Sequence, residues 1–226
     1  MKLLLLGRGK TGALVAEVAH RRDHKVEILH AAENLHASAL TPQRLAQIDI
    51  VIDFTTPHAV LEHIEACVRA GKNMVVGTTG WYSEIPRLRK MVEDAGVGFL
   101  YGANFSRGVH LFLETARMAA GALRHGYSGQ IFERHHAQKK DAPSGTAMQL
   151  QDVVRDASEA ELEITSFREG DVVGLHELIL DSPADRIYLC HDAKSRLGFA
   201  EGAVRAAEWL AGKTGFFDFR DVWREL

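Results

Sequence analysis

The sequence predicts an α/β protein with two domains, the first built on a parallel sheet and the second of α+β type. Over roughly the first hundred residues, short apolar runs typical of buried strands alternate with stretches that carry apolar residues at helical spacing. Beyond residue 105, three strand-like stretches follow one another closely, which is typical of an open mixed or antiparallel sheet. A chain of 226 residues has room for two such domains.

The elements follow from the spacing of apolar residues and from glycines at helix ends. The expected strands are 3–6, 26–29, 50–52, 74–76, 97–101, 130–134, 162–167, 172–180 and 186–191. The expected helices are 12–21, 59–70, 83–95, 109–123, 146–157 and 199–211. Gly71 and Gly212 lie where a helix would stop. Strands joined by helices in the first half imply right-handed crossovers.

Charge and composition exclude several classes of protein. The formal net charge is −3 and the basic residues are not clustered, which argues against a nucleic-acid surface. The opening apolar run is too short for a signal peptide, and no stretch approaches the roughly 20 apolar residues that span a membrane. We therefore expect a cytoplasmic protein without a membrane partner. Cys67 and Cys190 have no metal-ligand spacing, and two reduced thiols are favoured over one long-range disulfide.

A glycine-rich turn follows the first predicted strand and opens the first predicted helix. It has the pattern G-x-G-x-x-G and reads Gly7, Arg8, Gly9, Lys10, Thr11 and Gly12. Glycines at these places permit a tight turn, close approach of the backbone to a pyrophosphate and close helix–strand packing. The helix N-terminus adds N–H groups and partial positive charge for the phosphates. The turn predicts a Rossmann-type dinucleotide-binding domain, and a turn with purely steric glycines is the alternative.

Residues at other strand ends are candidate cofactor contacts. Glu33 lies just beyond the second strand and is a better ligand for the adenosine ribose than Glu27, which lies within that strand. An exposed loop carboxylate is the alternative, and Asn34 follows where an arginine would favour a 2′-phosphate. Two loops with small residues could contact the nicotinamide, although ordinary turn chemistry explains them equally well. They contain Gly77, Thr78, Thr79, Gly102, Ala103, Asn104 and Phe105.

A polar segment between the two halves of the second domain carries the strongest chemical signal. Four side chains that can be cationic lie close together there: His135, His136, Lys139 and Lys140. The next helix is predicted to begin at Ser144, Gly145 and Thr146, and such a start binds anions through backbone N–H groups. The pattern suits a substrate that bears carboxylates. The alternatives are a solvated lysine pair and structural histidines, and no carboxylate or cysteine lies at the spacing that a metal site would need.

Together these segments resemble the 4-hydroxy-tetrahydrodipicolinate reductases, also called dihydrodipicolinate reductases, of bacterial lysine and diaminopimelate synthesis. The resemblance covers most of the chain, and its most specific part is the pattern His-His-x-x-Lys-x-Asp-Ala-Pro-Ser-Gly-Thr at 135–146. Other matching segments are the glycine turn, 53–55, 77–80, 104–106, 174–176, 191–196 and the last predicted helix.

The resemblance implies roles for the matching residues. His135 and Lys139 become the acid/base pair, and His136, Gly145 and Thr146 contact the substrate carboxylates, with Ser144 close by. It further implies a dinucleotide-binding domain of residues 1–105 and 197–226, a substrate-binding and oligomerisation domain of residues 106–196, and a homotetramer. The cofactor would be NADH or NADPH, bound at 7–12, 77–79 and 102–105.

The implied reaction is hydride transfer to C4 of a cyclic unsaturated imine, followed by protonation of C3. His135, with an ordinary pKa near 6.5, would supply the proton with Lys139. Two departures from the family pattern, a shorter glycine turn and Asn34 after Glu33, leave the choice between the two cofactors open. The rival interpretations are another two-domain dehydrogenase, such as one acting on aspartate, and a non-catalytic dinucleotide-sensing module.

Overall fold

The computed structural model describes all residues from 1 to 226 and divides into two compact units. The first unit comprises Met1–Ser106 and Leu197–Leu226, and the second comprises Arg107–Arg196. None of the helices has the length and apolar character needed to cross a membrane.

Ten strands and eight α-helices make up the chain. The strands are β1 Lys2–Leu6, β2 Lys25–Leu29, β3 Ile50–Asp53, β4 Asn73–Val76, β5 Gly98–Tyr101, β6 Ser128–His135, β7 Ile164–Arg168, β8 Leu175–Asp181, β9 Arg186–Asp192 and β10 Gly215–Asp218. The helices are α1 Lys10–Arg21, α2 Pro42–Leu45, α3 Pro57–Arg69, α4 Ile85–Ala95, α5 Arg107–Ala120, α6 Gly145–Ser158, α7 Leu197–Leu210 and α8 Phe219–Val222.

The first unit is built on a six-stranded parallel sheet of order β10-β5-β4-β3-β1-β2. The strand order reverses between β1 and β3, and ligands bind at such a point beyond the carboxyl ends of the strands. Both faces of the sheet are covered, and the four leucines of β1 contribute to both cores: Leu4 and Leu6 pack into one cluster, and Leu3 and Leu5 pack into the other. The predicted Rossmann-type α/β fold is confirmed.

The second unit has a four-stranded mixed sheet of order β7-β6-β8-β9. β6 pairs in parallel with β7 and antiparallel with β8, and β8 pairs antiparallel with β9. Ile131, Leu178 and Leu180 are buried in one cluster with residues of α5 and α6. The opposite face carries Phe167 and Tyr188, which are 42% and 53% exposed. The expected α+β unit with an open mixed sheet is confirmed.

The main departures of the structure from the predicted elements lie in three parts of the chain. It adds β10 and α8 near the C-terminus, where the sequence pattern predicts no element. The helix expected at 109–123 begins at Arg107 and ends at Ala120, and a 3-10 helix, Gly121–His125, follows it. Between β2 and β3 the chain forms short helical turns, including Ala31–Glu33 and Leu35–Ala37.

Candidate active site

Glu133 lies at the centre of the polar cluster in the second unit, fully buried on β6. Its carboxylate accepts hydrogen bonds from the backbone N–H of Ser144 at 3.0 and 3.1 Å, from Ser166 Oγ at 2.7 Å and from Arg168 Nη2 at 2.7 Å. Strand register explains the convergence, because Glu133 pairs with Ser166 on β7 and with His176 on β8. One carboxylate thus joins two neighbouring strands to the start of α6.

The partners of Glu133 keep it charged. Burial alone would raise the pKa of the Glu133 carboxyl, but hydrogen bonds from Ser144, Ser166 and Arg168 outweigh burial and lower this pKa to about 2. The buried carboxylate is therefore an anion at neutral pH, and the Arg168 guanidinium balances its charge.

His135, the last residue of β6, is only 7% exposed. Its Nδ1 lies 3.3 Å from Glu133 Oε2, and its ring meets the His176 ring edge-on at 5.1 Å between centroids. Burial lowers the pKa of His135 to about 4, with Glu133 opposing this and Lys139 and Arg168 adding to it. The expectation of an ordinary pKa near 6.5 for His135 is therefore wrong, and the imidazole is neutral at neutral pH.

Lys139 lies in the loop between β6 and α6, with its side chain 22% exposed. Its Nζ donates to both carboxylate oxygens of Asp141 at 2.8 Å. Arg168 Nη2 donates to the backbone carbonyl of Asp141 at 2.6 Å, so the arginine that pairs with Glu133 also holds this loop. The neighbouring Lys140 is exposed. The structure therefore distinguishes Lys139 from Lys140, which the charge pattern alone could not do.

Ser144 is the N-cap of α6 and is 2% exposed. Its Oγ accepts a hydrogen bond from the backbone N–H of Ala147 at 3.2 Å and lies 3.1 Å from His176 Nε2. Gly145 is exposed, and a Cβ built there would meet no heavy atom within 4 Å. The Ser144 hydroxyl thus serves the helix start, while the space above Gly145 is open.

His136, Thr146 and His176 complete the cluster. His136 and Thr146 are partly buried, and His176 is 4% exposed. Burial lowers the pKa of His176 to about 3, and the nearby His135 contributes to this. His176 is therefore also neutral at neutral pH, with Nε2 beside the Ser144 hydroxyl and 3.9 Å from Glu133 Oε2.

The fold places the Glu133 carboxylate beside His135, a neighbour that was not considered when the sequence spacing was judged unsuited to a metal site. The ligand atoms of Glu133, His135 and His176 lie within 4.8 Å of one another, close enough to hold a metal ion. Arg168, however, already pairs with Glu133 Oε1 at 2.7 Å, and a guanidinium next to the carboxylate opposes a second cation. The cluster is better suited to positioning His135.

The glycine turn of the first unit has the geometry of a dinucleotide-binding turn. Gly7 has φ +90°, and a Cβ there would lie 2.4 Å from the Phe54 carbonyl oxygen. A Cβ on Gly12 would lie 2.4 Å from the Gly7 carbonyl oxygen, so both glycines are required sterically. Gly9 is the N-cap of α1, and no side chain caps this helix. Arg8 and Lys10 are exposed and Thr11 is partly exposed.

A cavity of about 470 Å³ extends from this turn along the end of β2 to the start of α3. Gly7 and Gly9 line one end, Leu29 and His30 lie at the end of β2, and Thr56 lies at the N-cap of α3. The cavity lies beyond β1 and β3, where the strand order reverses. It therefore lies where the adenosine part of a dinucleotide binds in this fold.

A buried hydrogen-bonded network supports the cavity. Asp53, at the end of β3, accepts hydrogen bonds from Thr55 Oγ1 at 2.7 Å, from Thr78 Oγ1 at 2.8 Å and from His63 Nδ1 at 2.7 Å. His63 Nε2 in turn lies 3.0 Å from Asn34 Nδ2. The Thr78 hydroxyl is thus bound inside the protein. Sequence reasoning gave no role to Asp53, His63 or Asn34 in this network.

The other predicted cofactor contacts differ in their exposure to solvent. Gly77 is sterically constrained, because a Cβ there would lie 2.2 Å from the Phe54 ring, and Thr79 and Ala103 are exposed. Asn104 Oδ1 accepts a hydrogen bond from the backbone N–H of Ser106 at 2.8 Å. Gly102 and Phe105 are buried.

The Phe105 ring packs against Phe219 at 4.7 Å, so its side chain belongs to the core. Glu33 is exposed, and its carboxylate accepts a hydrogen bond from the backbone N–H of His30 at 3.1 Å. Glu33 is not among the residues that line the cavity.

Sequence reasoning missed Glu133, Ser166 and Arg168 as members of the polar cluster. The usable signal was weak: Glu133 precedes the histidine pair by two residues, and His176 lies in a segment noted only for its resemblance. Strand register brings these residues together, and single-sequence periodicity does not predict register between distant strands.

Comparison with known proteins decides the family. The family model described as dihydrodipicolinate reductase, N-terminus, matches residues 1–105, and the model described as dihydrodipicolinate reductase, C-terminus, matches residues 108–223. The chain belongs to the dihydrodipicolinate reductase family. The resemblance identified from the sequence motifs is thereby confirmed.

Relatives of the dihydrodipicolinate reductase family match over most of their length. The 4-hydroxy-tetrahydrodipicolinate reductase of Christiangramia forsetii is 37% identical over 240 aligned residues, covering 100% of this chain and 99% of that protein. The protein of the same name from Laribacter hongkongensis is 40% identical over 200 residues, covering 79% and 74%.

Solved structures agree at the level of the fold. The dipicolinate-bound dihydrodipicolinate reductase from Paenisporosarcina sp. TG-14 has a TM-score of 0.79 at 21% identity, covering 98% of this chain and 99% of that one. A probable dehydrogenase from Thermotoga maritima has a TM-score of 0.59 at 12% identity, covering 98% and 92%.

Proposed function

We propose that the chain catalyses the NAD(P)H-dependent reduction of 4-hydroxy-tetrahydrodipicolinate to tetrahydrodipicolinate, a step of lysine and diaminopimelate synthesis. Family membership supports an oxidoreductase that uses a pyridine nucleotide. The observation that carries the proposal is the arrangement of His135, Lys139 and the start of α6 around Glu133. This arrangement combines a buried neutral imidazole, a lysine and an anion-binding helix start.

The first unit is suited to hold the dinucleotide. Gly7 and Gly12 allow the backbone to approach the pyrophosphate, and the uncapped start of α1 offers N–H groups to it. We assign Arg8, Lys10 and Thr11 of the same turn to cofactor binding. We assign the loops 77–79 and 102–105 to the nicotinamide half of the cofactor. Phe105 and Thr78 would act through the backbone, because their side chains are bound inside the protein. When bound, the reduced nicotinamide would supply a hydride.

The second unit is suited to hold a small dicarboxylate. The N-terminus of α6, a helix of 14 residues, presents partial positive charge, and Gly145 leaves the space in front of it open. We assign His136, Gly145 and Thr146 to the substrate carboxylates. Ser144 acts by fixing the helix start, since its hydroxyl and backbone N–H are engaged with His176, Ala147 and Glu133.

The proton comes from the same segment. Loss of water from the hydroxylated substrate gives a cyclic unsaturated imine. Hydride addition at C4 of this imine leaves an enamine, and C3 of that enamine then gains a proton. We assign the donor role to Lys139, because the His135 imidazole is neutral at neutral pH. His135 orients the substrate by hydrogen bonding and relays the proton from Lys139 to C3. The proton lost by Lys139 is restored from solvent, which the lysine side chain reaches at 22% exposure.

We propose that the working form is a cytoplasmic homotetramer assembled through the sheet of the second unit. On the face of this sheet opposite α5 and α6, the rings of Phe132 and Phe167 stack at 6.4 Å between centroids, and Tyr188 is 53% exposed. An apolar sheet face of this kind is typical of an interface. Light scattering after size-exclusion chromatography tests the assembly, with a tetramer mass expected and a monomer mass contradicting it.

The experiment that tests the function follows NADH or NADPH absorbance after the condensation product of pyruvate and aspartate semialdehyde is added. We expect rapid loss of absorbance that depends on this substrate. Binding of the dinucleotide without substrate-dependent oxidation would instead indicate a sensing module. Oxidation that depends on an amino acid such as aspartate, and not on the condensation product, would indicate another dehydrogenase.

A further inference from the structure

We infer that the chain selects NADH over NADPH, because the cavity beside the end of β2 accepts a ribose 2′-hydroxyl and disfavours a 2′-phosphate. The inference rests on the proposed function, which supplies a dinucleotide for this cavity. In this fold the adenosine ribose lies near the end of the second strand, where a carboxylate suits a 2′-hydroxyl and an arginine suits a 2′-phosphate. Leu29, His30 and Ala31 bring that strand end to the cavity wall.

Asn34 lies on the cavity wall just beyond the end of β2, where an arginine would suit a 2′-phosphate, and its side-chain amide is hydrogen-bonded inside the protein. Its Oδ1 accepts a hydrogen bond from the backbone N–H of Ala39 at 3.1 Å, which fixes the orientation of the amide. Its Nδ2 then donates to His63 Nε2 at 3.0 Å. Asn34 is only 6% exposed. This buried, uncharged amide therefore gives a phosphate no cationic partner.

His63 and Asp53 hold Asn34 in this orientation. Because the amide nitrogen of Asn34 only donates, His63 Nε2 is the acceptor and His63 Nδ1 carries the proton that it donates to Asp53 Oδ2, at 2.7 Å. His63 is 4% exposed and Asp53 is fully buried. The buried hydrogen bonds from Asp53 through His63 thus fix the Asn34 side chain. A small rotation of this side chain cannot turn its amide towards the cavity without breaking them.

The charges around the cavity disfavour a second phosphate. Among the lining residues, Glu62 is the acidic one, and its Oε1 lies 3.1 Å from His36 Nδ1. The lining also contains four histidines, His30, His36, His58 and His63, and it contains no arginine or lysine. The Glu33 carboxylate lies nearby, on the backbone N–H of His30. A 2′-phosphate would bring a charge of about −2 towards these carboxylates without a guanidinium to bind it.

Arg8 is the cation that could reverse this preference. It is exposed on the glycine turn, between two residues that line the cavity, and it is not itself part of the lining. If Arg8 turned to a 2′-phosphate, NADPH would bind at least as tightly as NADH. The inferred NADH preference and phosphate binding by Arg8 therefore predict different orders of affinity for the two cofactors.

The test is the dissociation constant of each dinucleotide for the full chain, measured by titration calorimetry without substrate at about pH 8, where unperturbed imidazoles are neutral. We expect NADH to bind at least about tenfold more tightly than NADPH. Equal affinities, or tighter binding of NADPH, would overturn the inference and leave the proposed reaction intact. Failure of both dinucleotides to bind would overturn the proposed function itself.

A pair of variants checks the cause of the preference. His30→Arg places a guanidinium on the exposed rim of the cavity and should narrow the NADH preference by about tenfold, chiefly through tighter NADPH binding. His20→Arg makes the same change on α1, outside the cavity lining, and should leave the ratio unchanged. An unchanged ratio in His30→Arg, with the variant folded by circular dichroism, would contradict the placement of the ribose in this cavity.

Discussion

The backbone N–H of Ser144 donates to both carboxylate oxygens of Glu133, at 3.0 and 3.1 Å, and so ties the start of α6 to the middle of the mixed sheet. Because Glu133 also pairs with Arg168, and Arg168 binds the backbone of Asp141, one ion pair holds the loop that carries Lys139 at two points, Asp141 and Ser144. The proposed chemistry depends on this pair for its geometry.

The first prediction concerns the charge of Glu133. Glu133→Gln keeps the shape of the side chain but leaves the Arg168 guanidinium without its ionic partner. We expect the free energy of unfolding to fall by about 1–3 kcal/mol and the turnover number to fall with it. Urea unfolding and steady-state kinetics measure the two effects. Glu169→Gln is the matched control, since its pair with Arg134 lies on the surface and should contribute less than about 1 kcal/mol. Equal effects of the two substitutions would contradict the assigned role.

The second prediction concerns stability at acid pH. The pKa values of His135 and His176 are lowered by burial from the ordinary 6.5 to about 4 and about 3. Below about pH 6.5 the unfolded chain therefore binds protons that the folded chain does not, and the free energy of unfolding falls as the pH falls. Glu133 adds a further loss as the pH falls from its ordinary pKa of 4.5 towards about 2.

Chemical unfolding at a series of pH values measures this dependence. His135→Gln should show a shallower loss of stability between pH 6.5 and 4, because one of the two groups that resist protonation is gone. His36→Gln is the control, since the His36 side chain is 88% exposed. A wild-type stability that is constant across this range would show that the two histidines are protonated in the folded chain.

The third prediction separates the two lysines. Lys139→Ala should lower the turnover number by about 100- to 10,000-fold, since it removes the proposed proton donor. NADH affinity should be unchanged, because the dinucleotide binds the first unit. Lys140→Ala changes an exposed neighbour and should retain nearly full turnover. Near-normal turnover in Lys139→Ala, or an equal loss in Lys140→Ala, would reject the assignment.

The fourth prediction concerns the glycine turn. Gly12→Ala would bring a Cβ to 2.4 Å from the Gly7 carbonyl oxygen, so we expect a clear loss of stability together with weaker dinucleotide binding. Gly9→Ala meets no atom within 4 Å and has φ −68°, so the ligand-free chain should fold normally. Its added methyl group stands where the pyrophosphate approaches, and dinucleotide affinity should still fall. Thermal unfolding with and without NADH separates the two behaviours, and normal NADH affinity in Gly9→Ala would place the pyrophosphate elsewhere.

The parallel sheet was largely predictable, and the reason is physical. A strand buried on both faces is a continuous apolar run, as in Leu3–Leu6, and the glycines of the turn that follows have a steric purpose that one sequence displays. β10 was not predictable, because it has only four residues and is recognised by its pairing with the distant β5.

The candidate site was also predictable only in part. His135, Lys139 and Ser144 lie in one contiguous motif, and their type and spacing could be interpreted. The partners that set their charge states, Glu133 and Arg168 among them, are brought together by strand register, and the shift of the His135 pKa follows from burial that no local pattern shows.

The most direct test of the central claim is to supply NADH deuterated at the transferable position and to examine the product by mass spectrometry and NMR. We predict that each turnover places one deuterium at C4 of the reduced ring, and that Lys139→Ala slows this transfer without redirecting it. Consumption of NADH with no deuterium at C4 of the product would contradict the proposed reaction.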